Sequence, residues 1–323
     1  MHKYLNPKNY LRYFLNRSIG LSSIALQPVE SYLAKKYGDE GIKKYPPVFI
    51  IGAPRTGSTI FYQVITNCWD ISYINNFESI FYRNILVGII LSQNIFNNKH
   101  HNNFKAYHGA TKGYNSPNEF GSFWYRWFPQ DRHFVEADEL TELQKREMRH
   151  VVSAMITLKK KPLFFKNMNC GQRIGVLSQI FPEALFIYCT RNPLYIAQSL
   201  LETRKRVYGN YNTWWSIMPK EYHKLQLLRP VEQVVAQIYY IEKQIKKDLE
   251  KYYSGKWIEL TYEYFAENPL KQLEAIRLFL DAHGITVNQI IDQPLDFISN
   301  MNKTTINLAT INELKEHINR YFH

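Results

Sequence analysis

A glycine-containing turn that follows a short apolar run is the first part of this sequence whose residue types could do chemistry. Residues 46–53 end in this turn, and residues 52–59 read Gly-Ala-Pro-Arg-Thr-Gly-Ser-Thr. Apolar residues then recur at helical spacing over 60–68. A strand, a tight turn and a helix in this order surround an anion with backbone N–H groups and a helix N-terminus. We therefore predict an anion-binding loop formed by Pro54, Arg55, Thr56, Gly57, Ser58 and Thr59.

One position of this loop departs from the pattern of nucleotide hydrolases and kinases. These enzymes carry a lysine after the second glycine, where this chain has Ser58, and the fixed cation lies earlier, at Arg55. Magnesium and a triphosphate need that lysine and a metal-binding hydroxyl. A 5′-phosphate that bears a sulfuryl group carries less charge, so backbone donors, hydroxyls and one guanidinium suffice for it. A P-loop nucleotide kinase remains the nearest enzymatic alternative.

Two more cations lie at the ends of predicted strands. Residues 162–166 read as a strand that ends in Lys166, and residues 184–190 as a strand followed by Arg191. Ser199 lies eight residues after Arg191 in the next predicted helix, for which Asn192 is a plausible N-cap. In a parallel sheet the carboxyl ends of the strands meet at one edge, where α/β proteins bind ligands. Three converging cations suit a nucleotide with phosphates at two positions.

The order of the predicted elements gives the fold class. Strands at 46–51, 162–166, 184–190 and 257–260 alternate with helices, which predicts an α/β three-layer sandwich with a mostly parallel central sheet flanked by helices. We divide the chain into a basic helical extension at 1–45 and one domain at 46–323. Within that domain an excursion at 70–160, rich in Asn and His over 92–117, is expected to form the acceptor side.

The loop at residues 54–59, together with Arg191 and Ser199, resembles the donor-binding segments of sulfotransferases that use 3′-phosphoadenosine 5′-phosphosulfate. The matching pieces are Pro54–Thr59, Arg191-Asn192-Pro193 with Ser199, Phe181–Ala184 and Thr261-Tyr262-Glu263, within residues 46–205 and 256–282. The resemblance implies a P-loop NTPase-like fold and metal-free use of this donor. It also implies that the loop binds the 5′-phosphosulfate, and that Arg191 and Ser199 hold the 3′-phosphate. Arg204 and Lys303 are further candidates for binding the donor.

Sulfuryl transfer needs stabilisation of charge on the leaving phosphate and a base for the acceptor. Arg55 is the first candidate for that stabilisation, and Lys166 is the second, as in sulfotransferases of the tyrosylprotein type. The base is predicted to be Glu78, which lies 23 residues after Arg55, similar to the catalytic Glu of family members with Pro-Arg-Ser-Gly-Thr-Thr loops. Glu119, His108 and His133 are the alternatives, each more readily a substrate contact or an ordinary polar residue.

Two aromatic segments, 120–128 and 208–215, indicate the chemical class of the acceptor. Aromatic faces suit the apolar faces of sugar rings, and basic neighbours suit acidic glycans. We expect a carbohydrate or glycolipid acceptor. A lipid is the second candidate, and a peptide tyrosine is the third. The candidate acceptor contacts are Glu119, Trp124, His133 and Trp214.

Composition limits the remaining classes. The chain has 323 residues, 40 Lys and Arg against 28 Asp and Glu, and a net charge of +12, which favours an anionic partner. A non-catalytic nucleotide or nucleic-acid binder is the second alternative, although no recognition-helix or RNA-binding signature is present. The three cysteines have neither metal-type nor paired spacing, and the first thirty residues do not read as a signal peptide. We expect a cytoplasmic protein, with peripheral membrane contact through residues 1–45 as a further option.

Overall fold

Six strands are present in the computed structural model, which describes residues 23–38, 40–97, 101, 104–107, 109–290 and 302–322. In chain order they are β1 (Val48–Gly52), β2 (Ala106–Tyr107), β3 (Ala110–Thr111), β4 (Phe164–Lys166), β5 (Leu185–Thr190) and β6 (Trp257–Thr261). β2 and β3 form a small antiparallel hairpin. The other four strands form a parallel sheet in the order β4-β1-β5-β6. The parallel sheet predicted from the sequence is therefore confirmed.

The register of this sheet places the carboxyl ends of its strands along one edge. Val48 of β1 pairs with Phe164 of β4 on one side and with Leu185 of β5 on the other. All five residues of β1 are buried, as expected for a central parallel strand covered on both faces. The loop after β1, the end of β4 and the residue after β5 are consequently neighbours.

Helices cover both faces of the sheet. The N-terminal ones are α1 (23–37), α2 (Gly41–Lys44), α3 (Ser58–Cys68), α4 (Ile85–Phe96), α5 (Gly121–Trp124), α6 (Glu142–Lys159) and α7 (Ile174–Ile180). The others are α8 (Pro193–Tyr208), α9 (Tyr222–Leu225), α10 (Pro230–Tyr252), α11 (Tyr262–Glu267), α12 (Pro269–Ala282) and α13 (Leu308–Phe322). Short 3₁₀ turns occur at Glu78–Phe81 and Met168–Gln172. Within the described ranges, none of the helices combines the length and the apolar character needed to cross a bilayer.

Alternate residues of β1 belong to two separate cores. Phe49 belongs to a core that also contains residues of α6, α7, α8 and α10, and its ring stacks on Phe165 and Phe186 with centroids 5.4 Å apart in both cases. Val48 and Ile50 point to the other face, toward α3 and α12. This period of two gives three layers, as the sequence predicts.

The extension and the excursion are partly helical. The described part of the predicted extension, from residue 23 onward, contains α1 and α2, whereas residues 1–22 lie outside the described ranges. The excursion contains α4, the β2–β3 hairpin, α5 and α6. α6 begins with a capping box between Thr141 and Gln144. Asn192 caps α8, as expected, by accepting a 3.0 Å hydrogen bond from the Leu194 amide.

Candidate active site

A crevice of about 850 Å³ lies at the carboxyl edge of the sheet. The loop between β1 and α3 forms its floor, and Lys166 and Arg191 enter from the ends of β4 and β5. Glu119, from the excursion, lines it from the other side. The crevice therefore contains one carboxylate close to several cations.

The backbone of the loop is curled at two residues. Arg55 has a φ of 72° and Gly57 a φ of 77°, and the Thr56 hydroxyl donates a 3.0 Å hydrogen bond to the carbonyl of Ala53. Left-handed residues within a turn that leads into a helix produce a concave set of N–H groups that suits an anion. A Cβ at position 57 would come within 2.3 Å of the Tyr262 ring, so glycine is needed there for space as well as for φ.

Arg55, Arg191 and Ser199 are brought together. Arg55 Nε donates a 2.8 Å hydrogen bond to Ser199 Oγ, and Arg191 Nη1 donates a 3.0 Å bond to the Arg55 carbonyl. The Arg191 guanidinium lies over the Tyr262 ring at 4.4 Å. The strand end, the loop and α8 are thus joined around two positive charges.

Asn302 holds Arg191 from the C-terminal segment. Its Oδ1 accepts hydrogen bonds of 2.9 and 2.6 Å from Nε and Nη2 of Arg191, and its Nδ2 donates to Glu263 Oε1 at 2.6 Å. No spacing in the sequence pointed to Asn302. The neighbouring Lys303 has an exposed side chain, and its carbonyl accepts a 2.8 Å bond from Gln198 Nε2.

The charge of this cluster is positive and partly buried. Burial lowers the pKa of Arg55, and the nearby charges of Arg191 and Arg206 lower it further, while Glu202 acts in the opposite direction. Burial also lowers the pKa of Arg191. Cations that disfavour one another's charge gain from a bound anion. Arg206, which also lines the crevice, was not singled out from the sequence.

The second part of the crevice pairs a lysine with a glutamate. Lys166 is only 3% exposed, its Nζ donates a 3.1 Å hydrogen bond to Thr59 Oγ1, and it forms an ion pair with Glu119. A Cβ on Gly109 would lie 2.3 Å from Glu119 Oε1, so the β2–β3 turn packs directly against this carboxylate. A cation and a potential proton acceptor therefore lie side by side next to the loop.

Glu78 is placed elsewhere. It is buried, its Oε1 lies 2.5 Å from Lys159 Nζ, and its Oε2 accepts a 3.1 Å bond from the Asn75 amide. It borders a different cavity, of about 80 Å³. Through these contacts the Glu78 carboxylate links α6 to the start of the excursion.

Trp124 and Arg204 require correction as contacts of substrate and donor. Both side chains are fully buried. Trp124 packs against Phe49 and Phe165, so its role is in the core. Arg204 donates hydrogen bonds of 2.6 and 3.1 Å to side-chain oxygens of Gln233 and Gln237, and so it links α8 to α10.

His133 and Trp214 also lie outside the crevice lining. The Met218 amide donates a 3.0 Å bond to His133 Nδ1, and burial lowers the pKa of this histidine to about 4, so it is neutral at pH 7. Trp214 donates to the carbonyl of Ser216, and the segment 215–217, next to it, lines the crevice instead. The alternative base His108 falls outside the described residues.

The sequence of this chain is similar to those of known proteins. A model of the sulfotransferase family matches residues 46–284. The curated proteins "omega-hydroxy-beta-dihydromenaquinone-9 sulfotransferase Stf3" of Mycobacterium bovis and Mycobacterium tuberculosis are each 24% identical over 180 residues, which is 50% of this chain and 46% of each relative. The chain thus matches about half the length of these relatives.

A solved structure is similar in fold. The crystal structure of sulfotransferase STF1 from Mycobacterium tuberculosis H37Rv superposes with a TM-score of 0.51, at 14% identity, over 96% of this chain and 85% of that one. At this identity the likeness concerns the fold alone. The match of the family model over most of the chain, including the loop, Lys166 and Arg191, goes further: this chain belongs to the sulfotransferase family.

Proposed function

We propose that this protein transfers a sulfuryl group from 3′-phosphoadenosine 5′-phosphosulfate to a hydroxyl or amine of an acceptor. The observation that carries this proposal is that a cluster of cations and a lysine–glutamate pair lie next to the same loop. Arg55, Arg191 and Ser199 form a cationic cluster at the loop, and the Lys166–Glu119 pair lies beside the same loop.

The residues present fit this donor. The curled loop, with the Ser58 and Thr59 hydroxyls at the start of α3, would hold the 5′ end, and Arg191 with Ser199 would hold the 3′-phosphate. The exposed Lys303, next to Asn302, could add charge at that end. When bound, the donor supplies an activated sulfuryl group on a phosphate leaving group. The partly buried arginines of the loop cluster favour such a polyanion because it offsets their mutual repulsion.

Within the crevice, residues of the chain stabilise the charge of the leaving phosphate and accept the proton of the acceptor. Arg55 and Lys166 provide fixed positive charge where the leaving phosphate gains negative charge. Glu119 is our candidate for accepting the proton of the acceptor, because its carboxylate lines the crevice and contacts Lys166. Glu78, the base expected from the sequence, is engaged by Lys159 and Asn75, and so we rank it second.

The acceptor side is formed by the excursion, and we propose a carbohydrate or glycolipid acceptor. A lipid hydroxyl is the second candidate, since the name of the curated relatives gives omega-hydroxy-beta-dihydromenaquinone-9. Transfer of radiolabelled sulfate to a panel of glycans, glycolipids, hydroxylated lipids and tyrosine peptides tests this choice. Label found only on peptides would contradict it.

The desulfated donor, 3′-phosphoadenosine 5′-phosphate, is expected to raise the melting temperature in the presence of EDTA. A ligand at about 100 times its Kd adds roughly 2.7 kcal/mol to the free energy of unfolding. Differential scanning fluorimetry measures the shift. A shift produced only by ATP with magnesium would favour a kinase, and one produced only by an oligonucleotide would favour a nucleic-acid binder. Either result would contradict the proposal.

Gly57→Ala is expected to weaken binding of this nucleotide, whereas Gly209→Ala is not. Both glycines have a φ near 76° (77° and 76°), so an alanine at either position costs about 1–2 kcal/mol of backbone strain. At Gly57 the added Cβ also displaces Tyr262, over which Arg191 lies, whereas at Gly209 nothing lies within 4 Å. Urea unfolding and isothermal titration calorimetry compare the two variants. Equal nucleotide affinities would show that Tyr262 does not position Arg191.

A further inference from the structure

A second cavity, of about 610 Å³, lies beside the crevice. Gly121 lines the crevice, and Ser122, the next residue, lines this cavity. The hydroxyl of Tyr125, also in the cavity wall, accepts a 3.1 Å hydrogen bond from Nδ2 of Asn169, which lines the crevice. The two spaces are therefore neighbours, and Ser122 and Tyr125 form the wall of this cavity on the side of the crevice.

Two arginines supply positive charge to this cavity. Arg83 is exposed, and Arg126 is 14% exposed, with one ion pair to Glu147 at 3.2 Å. The Nη1 atom of Arg126 is buried and has no hydrogen-bond partner among the described residues. Burial lowers the pKa of Arg126, the charge of Arg83 lowers it further, and Glu147 and Glu30 raise it. Both arginines line the cavity, and their like charges disfavour each other, so an anion bound between them is favourable.

The rest of the lining is polar as well. Gln27, Ser122 and Gln130 offer amide and hydroxyl groups, and Tyr82 and Tyr125 offer aromatic rings with hydroxyls. Every described lining residue is thus polar or charged, which suits a hydrophilic ligand better than a hydrocarbon tail. The volume falls within the range of small-molecule sites, and the aromatic rings suit the faces of a sugar.

We propose that this cavity binds the phosphate or sulfate group of a carbohydrate acceptor, and that the acceptor reaches the crevice across the Ser122–Tyr125 wall. This rests on the proposed sulfuryl transfer, because it names the class of acceptor. It makes an anionic sugar, and not a neutral sugar or an apolar alcohol, the favoured class of substrate.

The test uses glucose 6-phosphate and glucose 6-sulfate as probes, titrated calorimetrically into the full chain saturated with 3′-phosphoadenosine 5′-phosphate. The nucleotide fills the loop site, so a second anion must bind elsewhere. Arg83→Met is expected to weaken binding of both probes about tenfold or more. Arg132→Met removes an exposed arginine that is paired with Glu139 outside the cavity, and so it should leave the affinity for both probes unchanged. Arg126→Lys, which keeps the charge but loses the fork geometry, should give an intermediate loss.

Unchanged probe affinity in both Arg83→Met and Arg126→Lys would overturn the proposal. So would inorganic phosphate binding as tightly as the sugar esters, since that would make the cavity a site for free anions. Failure of the nucleotide to bind is measured separately and counts against the proposed sulfuryl transfer. In that case the probes are titrated into nucleotide-free Arg191→Ala, and the effect of Arg83→Met still decides whether the cavity binds them.

Discussion

The Glu119→Gln variant is expected to turn over about 10²–10⁴ times more slowly than the wild type, with unchanged affinity for 3′-phosphoadenosine 5′-phosphate. The amide keeps the shape of the side chain and its contact with Lys166 but cannot accept the acceptor's proton. The cluster of Arg55 and Arg191, which we propose as the donor site, does not involve Glu119, so donor binding should be preserved. Turnover with labelled donor and calorimetric titration of the nucleotide measure the two quantities.

Glu78→Gln is the matched control, since it makes the same chemical change in a carboxylate outside the crevice. Removing one charge of its buried pair with Lys159 should lower the free energy of unfolding by about 3 kcal/mol. Turnover per folded molecule should remain at the wild-type level. If instead Glu78→Gln loses turnover and Glu119→Gln retains it, the base predicted from the sequence is correct and our assignment of Glu119 is wrong.

Arg191→Ala is expected to weaken binding of 3′-phosphoadenosine 5′-phosphate about 10²–10³-fold, equivalent to roughly 3–4 kcal/mol. Its guanidinium is partly buried, oriented by Asn302 and stacked on Tyr262, so it is already positioned for a phosphate. The variant also removes the hydrogen bond from Arg191 to the Arg55 carbonyl, so we expect a small loss of affinity for any ligand of the loop.

Adenosine 5′-phosphate separates these two effects, because it lacks the 3′-phosphate. Its affinity for Arg191→Ala should fall less than about tenfold. Calorimetric titration of both nucleotides into the wild type and the variant gives the comparison. Equal losses for the two ligands would mean that Arg191 supports the loop and does not bind the 3′-phosphate.

Local pattern was enough to predict the strands of the parallel sheet and several of the helices that connect them. The strand at 184–190 corresponds to β5, and the helix expected after the loop corresponds to α3, because apolar periodicity and nearby turn residues act over a few residues. The right relative placement of Arg55, Lys166 and Arg191 followed from one further rule, that parallel strands end at one edge. Each of the three lines the crevice.

Contacts between distant segments could not be predicted in this way. Lys166 meets Glu119 across 47 residues, and Arg191 meets Asn302 across 111. Both partners come from segments outside the strand–helix pattern, whose paths depend on packing over the completed sheet. The resemblance to sulfotransferases favoured Glu78 as the base because of its position after the loop, whereas the contact of Glu119 with Lys166 is visible only in the folded chain.

The sequence by itself determined the parallel sheet, the tight loop between β1 and α3 and the cations that lie beside it, because these depend on residue type and short-range spacing. Tertiary structure decided which aromatic and charged side chains face the crevice. Trp124 and Arg204 have the chemistry of ligand contacts, but they are buried between layers, and Glu78 is taken up by Lys159. Burial and long-range partners exist only once the layers pack together, and they determine whether a side chain of suitable type can reach a ligand.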